Sequence, residues 1–306
     1  MDNPILSINF SAFGGTDNDY HNAKDFISAS ALKEYKKSPA HYWMMRNEKK
    51  EDTDALIFGG AYHCLVLQPE LFEKDYFVFD DSTIYDVLIG EGYKSPRSTN
   101  QYKDWKEAEM CKANGKITLS AEDYGKMLRM KDVLMSHSYA KKLLSGGLAE
   151  QGYMGEIEIE SGKILAKIKP DYQKSNGKLI VDLKTCVDAS VDGFTRHAAD
   201  MNYHIQAAFY SDVLEKYYND GMGRTFIFIA QEKTSPFLFN IFECSPDFIN
   251  QGRYEYHQLL KLHKYCLDKN NFPGYQIFTA SRYGIQELNL PNWANKELNF
   301  YKHYGE

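Results

Sequence analysis

The sequence is poor in cysteine and has no cysteine motif. The five thiols in its 306 residues are Cys64, Cys111, Cys186, Cys244 and Cys266. They lie far apart, and no two of them form the C-x-x-C pair from which structural zinc sites and cysteine-ligated clusters are commonly built. This spacing argues against both kinds of site. It also fits a chain kept reduced inside a cell, which is where we expect this protein.

The sequence also lacks a long apolar run. No segment approaches the roughly 20 consecutive apolar residues that an α-helix needs to cross a bilayer. The first ten residues, MDNPILSINF, show no basic segment followed by an apolar one, as a secretory signal requires. We therefore expect a cytoplasmic protein that has no membrane partner and is not exported by this route.

A basic excess is missing as well. The 36 Lys and Arg residues are outnumbered by 42 Asp and Glu residues, so the formal net charge is −6. Nucleic-acid-binding proteins usually show a basic surface, but a net charge is a sum, and an acidic protein can contain a basic groove. Two groups of residues are candidates for such a groove. One comprises Lys33, Lys36, Lys37, Arg46, Lys49 and Lys50, and the other Lys163, Lys167 and Lys169.

Apolar sequence is present in sufficient amount for a large core. Hydrophobic residues make up 43% of the chain, and we find neither an internal repeat nor a low-complexity tract. The predicted elements follow the order helix, strands, helix, strand, which is typical of an α/β fold with a mixed central sheet flanked by helices. We predict a single domain over 1–306, with an N-terminal helical part at 27–150, a core at 151–245 and a C-terminal helix and tail at 246–306.

Two helix signals precede the core. Ser28 or Ser30 is a candidate N-cap for a helix that ends near Pro39, where a second helix begins. The free N–H groups and the serine hydroxyl at such a helix start can bind phosphate, although capping is the more common role. Further on, the apolar segment 54–67 contains one imidazole, His63. A lone histidine in an apolar helix is usually a core residue, so this pattern alone makes His63 a weak candidate for a metal ligand.

The most informative stretch is 163–185, KILAKIKPDYQKSNGKLIVDLKT, which predicts two strands joined by a Ser-Asn-Gly turn. In the second strand alternate residues share a face, so Asp182 and Lys184 point the same way. Pro170 has no N–H for a strand ladder, so the first strand ends there and leaves Asp171 at its exit. If the two strands pair, Asp171 and Asp182 come close enough to hold one divalent cation such as Mg²⁺, which prefers oxygen ligands. For an isolated D-x-K, a salt bridge is the more common explanation.

The flanking segments add further polar side chains. The strand predicted before this stretch places Glu156 and Glu158 on one face. In the helix predicted after it, MNYHIQAAFYSDVLEKYY, Gln206 and Tyr210 are four residues apart and so share a face.

Other elements complete the pattern. A helix is predicted at 120–144, with Ser120 as its cap. A near-continuous apolar strand at 224–231 is followed by an antiparallel partner at 237–243. A long helix then begins at 246, and a loop-like tail follows Pro273.

Taken together, these segments resemble the PD-(D/E)XK nuclease superfamily. In its exonuclease branch a histidine lies upstream of PD…(D/E)XK and a Q-x-x-x-Y helix lies downstream. The corresponding residues are His63, Pro170-Asp171, Asp182-Leu183-Lys184, and Gln206 with Tyr210. The segments SPAHY, GGAYHCLVLQPE and YHIQAAFY are most similar to the RecE-type, lambda-exonuclease-like phage exonucleases. The similarity extends over about 27–290 and implies a restriction-endonuclease-like core.

The resemblance implies a metal site and a catalytic lysine. Asp171 and Asp182 would bind Mg²⁺, for which Mn²⁺ can substitute, and His63 would be a further ligand. Lys184 would position or activate the attacking water and stabilise charge on the phosphate.

The resemblance also implies supporting residues. An acidic residue on the first core strand corresponds to Glu156, with Glu158 as the alternative. Gln206 and Tyr210 would order the site and contact the DNA end. Ser30 resembles a serine near the terminal-phosphate pocket of the lambda enzyme.

The implied function is a Mg²⁺-dependent 5′→3′ exonuclease acting on the ends of double-stranded DNA during phage-type recombination by single-strand annealing. The implied partners are a RecT-like annealing protein and further copies of the chain in a ring-shaped homo-oligomer, in a bacterial host cell and with a phage or prophage origin. Two alternatives use the same fold. One is a structure-specific DNA endonuclease, and the other is a catalytically inactive DNA-binding protein.

Overall fold

The computed structural model describes residues 5–48, 53–275, 285 and 287–291. Lys49, Lys50 and most of the predicted tail after Pro273 lie outside the described residues. The N-terminal elements are β1 (Ile5–Ala12), α1 (Asp17–Asn22), α2 (Ala29–Lys37), α3 (Pro39–Asn47), α4 (Asp54–Leu67) and α5 (Pro69–Asp75). The cap of α2 is Ser28, whose side chain accepts a hydrogen bond from the Ala31 N–H. Of the two serines suggested by the sequence, Ser28 therefore begins the helix and Ser30 lies inside it.

A peripheral segment follows. Its elements are β2 (Tyr76–Phe79), α6 (Ser82–Gly90), a short 3-10 helix (Pro96–Ser98), α7 (Asn100–Cys111), β3 (Ile117–Ser120), α8 (Ala121–Ser136) and α9 (Ser138–Leu143). β2 and β3 pair in parallel. The single helix predicted at 120–144 is divided in two, because His137 leaves the helical conformation and its ring accepts a hydrogen bond from the Ala140 N–H at the start of α9.

The remaining elements form the core. They are β4 (Gly147–Ala149), β5 (Tyr153–Ile159), β6 (Gly162–Ile168), β7 (Tyr172–Lys174), β8 (Leu179–Cys186), α10 (Val191–Asp200), α11 (Tyr203–Tyr218), β9 (Thr225–Glu232), β10 (Phe239–Glu243) and α12 (Pro246–Lys269). Five strands form a sheet in the order β10-β9-β8-β7-β4, in which β8 and β9 are parallel and the other neighbours antiparallel. The predicted α/β fold with a mixed sheet flanked by helices is confirmed.

One predicted pairing is wrong. The strand before Pro170, β6, does not pair with β8 but with β5, in a separate antiparallel sheet of order β1-β5-β6. The hairpin partner of β8 is the short strand β7, in which Tyr172 lies opposite Val181. The chain therefore changes sheets at Pro170, and Asp171 lies at the junction between them.

Apolar clusters cover both faces of the five-stranded sheet. Alternate residues of β8 belong to different clusters, with Ile180 on one side and Val181 and Leu183 on the other. The first cluster includes buried residues of α2, α11 and α12, and the second includes buried residues of α4, α8 and α9. Because Asp182 and Lys184 alternate with Leu183, they share the α11 side with Ile180. In the part of the chain that the structure describes, no helix is both long and apolar enough to cross a membrane.

The position of α11 depends on a close approach to α12. A Cβ atom at Gly252 of α12 would lie 1.9 Å from the backbone oxygen of His204 in α11, which is far inside van der Waals contact. Any side chain at this position would therefore push the two helices apart.

We expect Gly252→Ala to destabilise the protein by about 1–3 kcal/mol, the usual range for overpacking, because the obstacle is backbone and cannot rotate away. The matched control is Gly125→Ala in the middle of α8, where a Cβ would meet a side-chain atom of Arg129 at an ordinary 3.5 Å. Alanine is the better helix former, so this control is expected to be neutral or stabilising. The measurement is urea unfolding of both variants, and equal midpoints would contradict the prediction.

Candidate active site

Strand β8 places a carboxylate and an ammonium side by side on the face covered by α11. The Asp182 side chain is only 1% exposed, and Lys184 Nζ forms an ion pair with its Oδ1. The other carboxylate oxygen, Oδ2, accepts a hydrogen bond of 2.5 Å from Nε2 of Gln206 on α11. Each oxygen of this buried carboxylate therefore has its own partner, as a charge removed from water requires.

The charges of this pair follow from their surroundings. Burial raises the pKa of Asp182, and the nearby Asp171 raises it further, while Lys184 opposes both effects. Burial alone would lower the pKa of Lys184, but Asp182 and Asp171 hold it above its usual value. Lys184 is therefore an ammonium at neutral pH. It is suited to donate hydrogen bonds and stabilise negative charge, and not to remove a proton.

A group of three potential metal ligands lies beside this pair. His63 of α4, Glu150 and Asp171 offer ligand atoms that all lie within 4.8 Å of one another. His63 Nδ1 is 3.4 Å from Asp171 Oδ2, which also accepts a hydrogen bond of 2.8 Å from the Leu183 N–H in β8. One imidazole nitrogen and two carboxylates suit a divalent cation. The structure thus brings together His63 and Asp171 as the sequence indicated, and adds Glu150.

The structure places neither of the two predicted acidic residues of β5 in the group of potential metal ligands. Glu156 lies on β5 with its side chain turned away from the buried Ile157, and accepts a hydrogen bond of 2.8 Å from Lys163 at the surface. Glu158 likewise faces outward and accepts a hydrogen bond of 3.0 Å from the Ser7 hydroxyl of β1. Neither joins the metal-ligand group. The alternation of β5 that placed both glutamates on one face was right, but that face points to solvent.

Glu150 lies in the turn between β4 and β5, in a left-handed conformation with φ 51°. Its N–H donates to the backbone oxygen of Asp171 at 3.0 Å, and its carboxylate lies 3.0 Å from Lys169 Nζ. Burial raises the pKa of Glu150, and Asp171 raises it further, while Lys169 and His63 act in the opposite direction. Sequence reasoning missed this residue because a turn has no periodicity. Its position shortly before the strand at 153–159 was the one available signal.

The predicted Q-x-x-x-Y pair occupies two neighbouring places on α11. Gln206 Oε1 accepts a hydrogen bond of 3.1 Å from Lys33 Nζ of α2, while its Nε2 binds Asp182. Tyr210, one turn further along, is 8% exposed and lines a cavity that also contains Ser30. Burial raises the pKa of the Tyr210 phenol well above its usual value, so it is a neutral hydrogen-bonding group.

Two adjoining cavities open at the site. The first has a volume of about 590 Å³ and is lined by His63, Glu150 and Asp171, among others. The second has a volume of about 360 Å³, and its polar lining residues are Tyr20, His21, Lys24, Ser28, Ser30, Tyr42, Arg46, Lys167, Lys169 and Tyr210. The cavities share Tyr20, His21 and Lys169. The described lining of the second cavity thus contains four cationic side chains and no carboxylate, which suits an anion.

The described lysines of the two predicted basic groups point in different directions. In the first group, Lys33 points inward to Gln206, whereas Lys36 pairs with Glu255. In the second group, Lys167 is buried and donates to the backbone oxygens of Tyr20 and Ala23. Three members of the two groups, Arg46, Lys167 and Lys169, nevertheless line the second cavity together.

Comparisons with known proteins agree with this architecture. A structure from Eubacterium rectale, described as that of a candidate exonuclease, superposes with a TM-score of 0.58 at 17% identity and covers 91% of this chain and 96% of its own. At that identity the likeness concerns the fold alone. A nucleotide-binding protein from Endomicrobium trichonymphae is 32% identical over 114 residues, which are 35% of this chain and 68% of the relative.

The family assignment comes from a family model described as a PDDEXK-like domain of unknown function. It matches residues 28–277, which is most of the chain and includes the three potential metal ligands, Asp182, Lys184, Gln206 and Tyr210. The resemblance inferred from PD, D-x-K and their neighbours is thereby confirmed at the level of the superfamily. The chain belongs to this PDDEXK-like family, and with it to the PD-(D/E)XK nuclease superfamily.

Proposed function

We propose that this protein is a divalent-metal-dependent deoxyribonuclease that uses Mg²⁺, or Mn²⁺ in its place, and digests duplex DNA from its 5′ ends. The observation that carries the proposal is the convergence of His63, Glu150 and Asp171 beside the Asp182–Lys184 pair. Hydrolysis of a phosphodiester requires a metal-activated water and relief of the negative charge that develops on the phosphate. The three ligands and the lysine supply these two requirements next to each other.

Each residue has a distinct task in this mechanism. A divalent cation held by His63, Glu150 and Asp171 would polarise a phosphoryl oxygen and lower the pKa of a bound water. Lys184, which stays charged, places a fixed positive charge where negative charge develops on the phosphate. Asp182 holds Lys184 and Gln206 in place. It is not part of the group formed by His63, Glu150 and Asp171, so its role as a metal ligand, which the strand pattern and the resemblance both indicated, stays a prediction.

The second cavity supports action at strand ends. A terminal phosphate carries more charge than a phosphodiester, and the cavity offers Arg46, Lys24, Lys169 and the Ser30 hydroxyl for it. Because the two cavities share a wall, a terminal phosphate in the second would place a neighbouring linkage near the metal ligands. An endonuclease has no need for such a pocket.

The biological setting is proposed from the resemblance to RecE-type exonucleases. Digestion of one strand would leave a single-stranded overhang for a RecT-like annealing partner. A ring-shaped homo-oligomer around the duplex would keep the enzyme on its substrate. The setting would be recombination in the cytoplasm of a bacterial host, with a phage or prophage origin for the protein.

We expect Lys184→Met to lower the cleavage rate by about 10²–10³-fold, the usual loss for one group that stabilises transition-state charge. Metal affinity is expected to change little, because Lys184 is not a ligand. Lys163→Met is the matched control, since Lys163 pairs with Glu156 on an exposed strand. The measurements are nucleotide release from linear duplex DNA and calorimetric titration with Mn²⁺. A Lys184→Met variant that has lost its metal affinity would contradict this role.

Glu150→Gln and Glu156→Gln separate the two candidate acidic residues. Glu150→Gln removes one charged ligand, so we expect weaker Mn²⁺ binding and a higher metal concentration for half-maximal cleavage, and the same for His63→Ala. Glu156→Gln breaks only a surface ion pair and is expected to behave as wild type. If Glu156→Gln weakens Mn²⁺ binding and Glu150→Gln does not, the role of third acidic ligand returns to Glu156.

Polarity is tested with linear duplexes labelled at either end, with and without a 5′ phosphate, and with a closed circle, in Mg²⁺ and in EDTA. We expect digestion of linear DNA only, fastest from phosphorylated 5′ ends, and none in EDTA.

Arg46→Met should abolish the preference for the 5′ phosphate, whereas Arg97→Met, which removes an exposed partner of Asp81, should not. Cleavage of the circle would favour the endonuclease, and equal inactivity of wild type and Asp182→Ala would favour the inactive DNA-binding protein.

A further inference from the structure

The Gln206 side chain is held between a cation and a carboxylate. Its Oε1 accepts from Lys33 Nζ at 3.1 Å, and its Nε2 donates to Asp182 Oδ2 at 2.5 Å. A carboxylate can only accept, and Lys33 in its charged form can only donate, so the two ends of the amide are not interchangeable here. The reversed amide would place two donors against each other on one side and two acceptors on the other. Lys33 and Asp182 therefore favour the same orientation, and Lys33 holds the end of the amide that Asp182 does not.

Lys33 reaches the site from a distant part of the chain. It lies on α2, 173 residues before Gln206, and belongs to none of the motifs that identify the superfamily. Its ammonium lies 4.9 Å from the ring centre of Tyr203, and Lys184 Nζ lies 5.0 Å from the same centre. Lys33 and Lys184 thus approach one aromatic ring, and the residue between Lys33 and the buried carboxylate is Gln206.

The surroundings make Lys33 unfavourable as a purely structural residue. Burial and, to a smaller extent, Lys184 lower the pKa of Lys33 to about 7, against the opposing effect of Asp182. An amine kept in a half-buried place beside another ammonium costs stability, and such groups occur preferentially at functional sites. The nearby Lys36 shows the ordinary arrangement, an exposed ion pair with Glu255.

We propose that Lys33 is a positioning residue of the active site, which through Gln206 fixes the hydrogen bond to Asp182 and so the placement of Lys184. The inference rests on the proposed nuclease function and deepens it. Without Lys33 the Gln206 amide is held at one end only, by Asp182, so the hydrogen bond between them is less firmly placed. The helix that carries Lys33 also begins at the second cavity, where Ser28 and Ser30 lie. One short helix thus contacts both the proposed terminal-phosphate pocket and the catalytic pair.

Steady-state kinetics test the inference with Lys33→Met, Lys33→Arg and the control Lys36→Met. We expect Lys33→Met to lower kcat by about 10²-fold, the loss typical of misplaced catalytic groups, with KM for DNA nearly unchanged. Lys33→Arg, which keeps a charged donor, should retain most of kcat, and Lys36→Met should match wild type. A rise in KM alone, or an unchanged kcat in Lys33→Met, would overturn the proposal. If the methionine variant does not fold, Lys33→Gln replaces it.

A double-mutant cycle shows whether Lys33 acts through Gln206. If it does, Lys33→Met should have little further effect on kcat in a Gln206→Ala background, because the group that it orients is already absent. Independent effects that multiply in the double variant would mean that Lys33 acts elsewhere, and would overturn the proposal.

A second readout does not depend on nuclease activity. The side-chain amide of Gln206 can be assigned by NMR from the resonances that disappear in Gln206→Ala. Lys33→Met should shift these resonances strongly, whereas Lys33→Arg should shift them less and Lys36→Met not at all. If the wild-type protein does not cut DNA, the proposed function fails, yet this measurement still decides the contact. Unshifted resonances in Lys33→Met would overturn the inference.

Discussion

A fully buried carboxylate governs the arrangement of the core. Removing the Asp182 charge from water costs several kcal/mol unless charged and hydrogen-bonding partners surround it. The partners available are Lys184 on the same strand and Gln206 on α11, one for each oxygen. This requirement fixes the rotation of α11 over β8. The approach of α12 to α11 at Gly252 then holds α11 in that position from the other side.

The Asp182–Lys184 ion pair and the proposed metal ligands are joined through one peptide group. The Leu183 N–H, between Asp182 and Lys184 in the sequence, donates to Asp171 Oδ2 at 2.8 Å. Asp171 in turn lies 3.4 Å from His63 of α4 and accepts the Glu150 N–H at its backbone oxygen. Side chains on one face of β8 and the backbone at its edge therefore organise two different charge clusters. A displacement of β8 would disturb both clusters together.

The sequence predicts those parts of the site that lie on regular elements. The period of two in β8 placed Asp182 and Lys184 on one face, and the helical spacing of α11 placed Gln206 and Tyr210 one turn apart. Glu150 could not be found in this way, because a turn residue at φ 51° follows no repeat.

Contacts between distant elements were equally inaccessible to sequence patterns. Whether β6 pairs with β5 or with β8 depends on the path of the chain after Pro170, and both pairings fit the same alternation of residues. Lys33 looked like part of a solvated basic face, and only the packing of α2 against α11 turns it inward. Burial depends on tertiary packing. The same local helical sequence can therefore expose a lysine to solvent or point it towards the protein interior.

The net charge of −6 is consistent with this site because the charges are sorted by location. Glu156 pairs with Lys163, and Glu34 with Lys37, at the surface, where such pairs contribute little to stability. Lys169 instead stands between the two cavities, where it contacts Glu150 and Asp17 and also lines the cationic cavity. The Lys169 ammonium offsets part of the negative charge of the metal-ligand group, and the carboxylates of that group stay available to a cation. If the proposed function is right, a DNA strand entering this region would meet positive charge in one cavity and the metal ligands in the next, so a negative net charge does not oppose binding of a polyanion there.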